Sequence, residues 1–365
     1  MSTSAETAYA IGVDLGGTKT ETALVDAKGR IAGRQRTPTE AALGPDHVIE
    51  TVVSMLETHY LQAPDRPVCA IGVGVAGQVD SEQGIVRRAP NLDWRNYPIR
   101  ERLEAAVGLP VAVLNDVQAI TYGECRRGIG RGASNLVCVF AGTGVGGGIV
   151  IGGDLVRGAS GNAGEFGHMT IERDGPLCSC GNRGCLEAFV GGWAIARRAR
   201  ERAAAEPDGA AALLRLAGSA PADITAALVG EAAAHGDAFA RALVEDTGAA
   251  LGVGLAAIAN ALNPELIILG GGIVEGLPDL VEIAEQELRR RALAAALQPL
   301  RVVRSKLGAD AGVIGAALFA RETTRERGVS GRGLGARRVR GSTVSPPEPP
   351  PARSRTALAR RPRLR

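Results

Sequence analysis

Two separate stretches of this chain repeat one pattern: an apolar strand, a glycine turn and a second apolar strand. The first runs through Ala10-Ile-Gly-Val-Asp14-Leu-Gly-Gly-Thr-Lys19. The second runs through Asn135-Leu-Val-Cys-Val-Phe-Ala-Gly142-Thr-Gly144-Val-Gly-Gly-Gly148. Glycine permits tight turns and close approach of another group to the backbone, so each stretch reads as a hairpin whose tip presents main-chain N–H groups to an anion. A Walker loop is excluded, because it would lead into a helix rather than a strand. A chain with this unit twice is expected to form two related domains facing each other, able to clamp a polyphosphate from both sides.

The rest of the pattern is α/β. Residues 10–37 read as three antiparallel strands with turns at Gly16-Gly17 and Lys28-Gly29. Val48, Ile49, Val52, Val53 and Leu56 fall at helical spacing. Val68–Val75 is a continuous apolar run, as in a buried strand. A helix over 99–107, a strand over 111–114 and a helix from about 117 to 127 follow. After three strands over 135–156, helices are expected at about 188–204, 223–234, 237–261, 277–296 and 310–321, with a buried strand from Pro264 ending in Gly270-Gly-Gly272.

Chemistry concentrates at a few points. His168, Cys178, Cys180 and Cys185 stand close together in Gly164-Glu-Phe-Gly-His168 and Cys178-Ser-Cys-Gly-Asn-Arg-Gly-Cys185. Three thiolates and an imidazole complete a tetrahedral Zn²⁺ site with no open position, which is a structural site. Cys69, Cys125 and Cys138 are scattered and read as small buried hydrophobes. Glu165 and Glu187 flank the cysteine loop, and a loop fixed by metal would present them to hydroxyl groups. Asp14, at a strand end, suits a water-mediated Mg²⁺. Asn115-Asp116 closes a strand and opens a helix; Asp116 fits there either as a helix N-cap or as the base that a hydroxyl nucleophile needs.

Taken together, Asp14-Leu-Gly-Gly-Thr-Lys19, Asn115-Asp116, Ala141-Gly-Thr-Gly-Val-Gly-Gly-Gly148, Gly164-Glu-Phe-Gly-His168 and Cys178-Ser-Cys-Gly-Asn-Arg-Gly-Cys-Leu-Glu187 resemble the ROK family (repressors, open reading frames, kinases). The motifs keep the family's order over about residues 9–320. The resemblance implies an actin-like ATPase (ribonuclease H-like) fold, with two α/β domains and a cleft between them. The first domain would take residues 1–117 with 309–321, and the second 118–308. It implies an ATP-dependent hexose kinase, glucose being the expected substrate and N-acetylglucosamine, N-acetylmannosamine, mannose and fructose the alternatives.

By the same resemblance Asp116 is the catalytic base. Gly77, Gln78, Asn91, Asn115, Glu165, His168 and Glu187 are sugar ligands, His168 using one ring nitrogen for zinc and the other for sugar. Asp14, Gly16, Gly17, Thr18, Lys19, Gly142, Thr143 and Gly144 serve the phosphates of Mg²⁺–ATP, and Gly271 and Gly272 the adenosine. One departure from the pattern follows the base: Val117-Gln118 stands where the family usually has Ala-Asn. The rival reading, a sugar-responsive repressor, needs a helix-turn-helix module ahead of the first hairpin, and about eight residues precede Tyr9.

The net charge of +3 conceals an asymmetry. From Glu322 onward stand twelve arginines against three glutamates, a balance of +9 that leaves the preceding 321 residues at −6. Overall charge therefore gives no argument for nucleic-acid binding. The residues from 322 to 365, rich in Arg, Gly, Ser and Pro, are expected to be a disordered tail. No signal peptide or membrane span is read, so a cytoplasmic location is expected; a homodimer without membrane or nucleic-acid partners is expected as well.

Overall fold

The computed structural model describes residues 8–63 and 65–326, with the side chain of Glu326 excepted. The first half contains β1 (Tyr9–Leu15), β2 (Lys19–Val25), β3 (Ile31–Pro38), helix α1 (Pro45–Gln62), β4 (Val68–Val75), β5 (Gln78–Asp80), β6 (Ile85–Ala89), β7 (Trp94–Tyr97), α2 (Ile99–Val107) and β8 (Val111–Asn115). Five of these strands pair in the order β3-β2-β1-β4-β8. β2 is antiparallel to both of its neighbours, β3 and β1, while β1, β4 and β8 run parallel. The parallel strands are almost wholly apolar because helices cover both faces.

Helix α3 (Asp116–Arg127) follows. The second half contains β9 (Leu136–Ala141), β10 (Val145–Ile151), β11 (Asp154–Val156), α4 (Glu187–Val190), α5 (Gly192–Ala205), α6 (Ala211–Leu216), α7 (Ala226–Ala234), α8 (Ala238–Leu262), β12 (Leu266–Gly270), α9 (Gly272–Gly276), α10 (Leu280–Arg291), α11 (Ala294–Leu297) and β13 (Arg301–Arg304). Its sheet, β11-β10-β9-β12-β13, repeats the first in order and in strand direction. The doubled sequence unit is therefore a doubled sheet.

The halves exchange helices. Helix α3, which leaves the first sheet, packs on β9 and β10 of the second. Its Val117 and Cys125 join Leu136, Cys138, Phe140, Val150, Leu266 and Ile268 in one buried cluster. The final helix, α12 (Ala311–Glu326), leaves the second sheet and lies on β1 and β4 of the first. Glycines make this approach possible: a Cβ on Gly12 or on Gly72 would sit 1.8 Å from the carbonyl oxygen of Val313 or Ala316. The two exchanged helices also pack on each other, and the carboxylate of Glu322 takes both the Tyr122 hydroxyl and the Arg126 guanidinium.

Both crossings between the sheets meet at Glu124 of α3, which is 0% exposed. Its Oε1 accepts from Ser305 Oγ at 2.5 Å and from the N–H groups of Lys306 and Leu307, and its Oε2 accepts from Ile129 N–H at 2.9 Å. Four donors satisfy a buried carboxylate that would otherwise be costly.

Most of the expected elements are present, with informative differences. The helix expected at 188–204 breaks at Gly191, and the one expected at 277–296 breaks at Ala292. The three-stranded sheet β5-β6-β7, the short helices α6 and α9, and β13 were not foreseen. The last helix runs five residues beyond Arg321, so the expected tail cannot begin at Glu322; its remainder, 327–365, lies outside the described residues. Helix α8 is long and apolar enough to cross a membrane by length and composition, but 67% of its most apolar window is buried inside the fold, as in a core helix. Cys125 and Cys138 are buried as expected, and Cys69 is half-buried.

Helix α12 supplies a stability prediction. Burying Val313, Ile314 and Leu318 contributes about 1.5–3 kcal/mol each, comparable in sum with the roughly 5–15 kcal/mol that holds a domain folded. A chain ending at Leu307 is expected to be recovered insoluble on expression; a soluble, cooperatively melting product would contradict the role assigned to this helix.

Candidate active site

Parallel strands direct their C-terminal ends to one edge of the sheet, where loops can gather ligands. In the first sheet Asp14 pairs across to Gly74, which pairs to Leu114, and Val75 pairs to Asn115. Asp14 and Asn115-Asp116 thus emerge together on either side of β4. The two roles open to Asp116 now separate. Asn115 is the N-cap of α3: its Oδ1 accepts from Val117 N–H at 2.9 Å and Gln118 N–H at 3.2 Å. Its Nδ2 donates to the carbonyl of Gly77 at 3.1 Å, which draws that loop to the same point.

Asp116 is therefore the first residue of the helix rather than its cap, although its Oδ1 also accepts from Val117 N–H at 2.9 Å. Burial, then the negative charge of Asp14, and less strongly that of Glu165, push its carboxyl up to about 7. That value is poised for accepting a proton near neutrality. Asp14 is likewise raised by burial, with Lys19 opposing and Glu21 reinforcing the shift.

The first hairpin closes through Gly16 N–H to the Lys19 carbonyl at 3.1 Å, leaving Thr18 exposed at its tip. Gly17 lies against Asn91; a Cβ there would be 2.6 Å from the Asn91 side chain and carbonyl. The Lys19 ammonium is half-exposed and 4.0 Å from Glu21. The second hairpin closes through Gly142 N–H to the Gly144 carbonyl at 2.9 Å, with Thr143 between them. Gly271, at φ 93°, brings the turn after β12 onto the base of this hairpin, where a Cβ would meet the Ala141 carbonyl at 2.3 Å. Gly272 is open.

The glycine run of the second hairpin divides by role. Gly146, Gly147 and Gly148 face protein, making room for Val117, Phe166 and Thr121.

His168, Cys178, Cys180 and Cys185 come together, their ligand atoms all within 4.8 Å of one another. Cys178 Sγ lies 3.7 Å from His168 Nδ1, and Cys180 Sγ lies 3.7 Å from Cys185 Sγ. Tetrahedral Zn–S bonds of about 2.3 Å put neighbouring sulfurs roughly 3.8 Å apart, so the donor set and its spacing fit Zn²⁺. The loop is shaped by backbone bridges of Thr170 with Cys185 and Leu177 with Arg183. Gly184 fills a slot where a Cβ would overlap the Glu172 carbonyl.

With Nδ1 on the cluster, His168 Nε2 faces Glu165 Oε2 at 4.0 Å. Burial raises the Glu165 carboxyl, with His168 lowering it. Glu187 is 8% exposed and already engaged by protein donors. Its Oε2 accepts from Val145 N–H at 3.0 Å, while Oε1 accepts from Ser179 Oγ at 2.8 Å and Trp193 Nε1 at 3.4 Å. It is a strut between the cysteine loop and the second hairpin, with Ser179 and Trp193 as partners that sequence reading missed. Gln78, the first residue of β5 and next to Gly77, and Asn91, in the 3₁₀ turn Pro90–Leu92 before β7, are both exposed. Gln118, also missed as a site residue, is buried two positions after Asp116 on α3.

Comparison with known proteins follows the same outline. The family model described as ROK family matches residues 10–323. A glucokinase of Streptomyces coelicolor is 38% identical over 313 residues, which cover 86% of this chain and 97% of that protein. A xylose repressor of Bacillus subtilis is 30% identical over 84% of this chain and 75% of its own length. Among solved structures, a ROK family glucokinase from Streptomyces griseus in complex with glucose and AMPPNP superposes with a TM-score of 0.75 at 38% identity, covering 86% of this chain and 99% of that one.

Proposed function

This chain belongs to the ROK family, and from that premise we propose that it is an ATP-dependent glucokinase with Asp116 as its general base. The observation that carries the reading is the Asp116 carboxyl, relieved of helix capping by Asn115 and held near neutrality at strand ends that also carry the Asp14–Lys19 hairpin. Asp116 takes the proton of the glucose 6-hydroxyl as that oxygen bonds to the γ-phosphorus, and the bond from phosphorus to the ADP oxygen breaks. The products are glucose 6-phosphate and ADP. Little covalent work falls to the protein in phosphoryl transfer; it positions the reactants and stabilises charge.

In this reading two α/β lobes face across a cleft, one built on each sheet. Main-chain N–H groups of Gly16–Lys19 and Gly142–Gly144 hold the phosphates, and Gly271 and Gly272 lie beside the adenosine. Mg²⁺ carried with ATP would sit toward Asp14, a half-buried acid close enough to Lys19 to feel its charge, and would neutralise phosphate charge. Glu165 and His168 read sugar hydroxyls, with Asn115, Gly77, Gln78 and Asn91 on the facing side and Glu187 behind. Zn²⁺ held by His168, Cys178, Cys180 and Cys185 would supply structure, fixing the loop that presents Glu165 and His168. The reading includes a homodimer working in the cytoplasm, which sedimentation and cell fractionation test.

The test of substrate is a coupled assay with ATP across glucose, mannose, fructose, N-acetylglucosamine and N-acetylmannosamine. Glucose is expected to give the largest kcat/KM; an N-acetylated sugar exceeding it would overturn the assignment. The family's repressors are a second class, but here both phosphate hairpins keep their form, which favours the kinase.

A further inference from the structure

The departure Val117-Gln118, which follows the base, has two separate physical roles. Val117 packs into the space left by Gly146 on β10. Gln118 does something different. It is 1% exposed, and its Nε2 donates to the carbonyls of Gly161 at 2.8 Å and Ala163 at 3.2 Å. Its Oε1 is buried and has no hydrogen-bond partner. The amide orientation follows from the network, since the opposite flip would set oxygen against two carbonyls. The side chain is kept for its donor, at the expense of an unpaired acceptor.

The segment it holds needs holding. Between β11 and Glu165 the chain passes Gly158, Gly161 and Gly164, all in the left-handed region at φ 75°, 84° and 97°. Such a run is entropically costly to fix. Gly161 lies so close to β5 that a Cβ would come within 2.2 Å of the Val79 carbonyl, and a Cβ on Gly164 would come within 2.5 Å of the Gly147 carbonyl. The other side-chain hydrogen bonds of the segment, from Asn162 Nδ2 to Ser160, are local to it. Gln118 is thus a side-chain tie from the segment to another element.

That tie spans the two groups on which the site depends. Asp116 lies two residues before Gln118 on α3, and Glu165 lies two residues after Ala163. Resting on the sugar-kinase reading above, we propose that Gln118 is a positioning residue which fixes Glu165 relative to Asp116, and so sets affinity for the sugar rather than the rate of phosphoryl transfer. An Asn at this position is shorter by one methylene and cannot reach both carbonyls from the same backbone.

The test compares wild type with Gln118→Leu and Gln118→Asn by steady-state kinetics, and by amide hydrogen exchange over residues 157–165. Gln118→Leu removes the donor and leaves the buried Gly161 carbonyl and the half-buried Ala163 carbonyl without it, so KM for glucose is expected to rise about tenfold. The expectation is that kcat changes less than about threefold, and KM for ATP less than about twofold. Exchange over 157–165 should quicken while the sheet amides stay protected. Gln118→Asn should fall between wild type and Gln118→Leu, and it carries the test if the Leu variant does not fold.

An unchanged glucose KM, or a loss confined to kcat, would overturn the proposal, as would unaltered exchange in the segment. A wild-type enzyme that phosphorylates no sugar would instead overturn the kinase reading.

Discussion

Asp116→Asn is expected to lower kcat by about 10²–10⁴, the usual worth of a general base, while leaving glucose affinity within a few-fold. The substitution is close to isosteric, and its amide oxygen can still accept from Val117 N–H as the carboxylate does. The helix keeps its cap because Asn115 provides it. A variant that retains more than half of wild-type turnover would make Asp116 a structural residue and end the mechanism.

Two pH measurements sharpen this. With the carboxyl at about 7 in the free enzyme, kcat/KM of the wild type should fall about tenfold per unit below that pH, because only the ionised form accepts a proton. The stability effect has the opposite sense. A carboxyl raised from 3.8 binds its proton more tightly in the folded chain, so its contribution to stability is complete below pH 3.8 and is lost as pH rises through about 7. The Asn variant lacks this loss. It should melt above wild type at pH 8 and level with it near pH 4.

Cys180→Ser is expected to remove both metal and glucose binding. Elemental analysis of wild type should give about one zinc per chain, and the variant should give little. Cys180 is the informative choice because it is exposed, whereas Cys178 and Cys185 are buried and their replacement would also disturb packing. The thiolates never touch sugar in this arrangement. Their loss acts through the loop that carries His168 and leads into Glu187, whose Oε2 holds the Val145 end of the second hairpin. KM for ATP should therefore rise as well, though less than KM for glucose. A metal-free wild type fully active in chelator would dispose of the zinc assignment.

The legible parts of the sequence were those written in local chemistry. Two hairpins, a cysteine–histidine loop and a strand-to-helix Asn-Asp could each be read from residue type and spacing. The parts that escaped depend on partners far away in the chain. Strands β5 to β7 are three to five residues long and carry no sustained alternation, so only their pairing reveals them. Gly146 to Gly148 look like more of the anion-facing turn, yet their purpose is to admit Val117, Phe166 and Thr121. Glu187 reads as a free carboxylate in a motif; burial and three donors from separate positions make it a strut. Gln118 showed only as a departure from a pattern until the carbonyls of Gly161 and Ala163 were found beside it.

The exchange of helices between the sheets bears on how the chain can be made. Synthesis from the N-terminus completes β1 to β8 long before α12 exists, so the face that Val313, Ala317 and Ala320 will cover has no lid while nearly two hundred further residues emerge. On that face Gly12 and Gly72 leave slots that the main chain of α12 fills at Val313 and Ala316. The second sheet has no such wait, because α3 precedes it in the chain. The nascent protein should therefore gain protease resistance in residues 135–304 before residues 8–115, against the order of translation. The emergence of α12, rather than of either sheet, becomes the moment at which the first half closes.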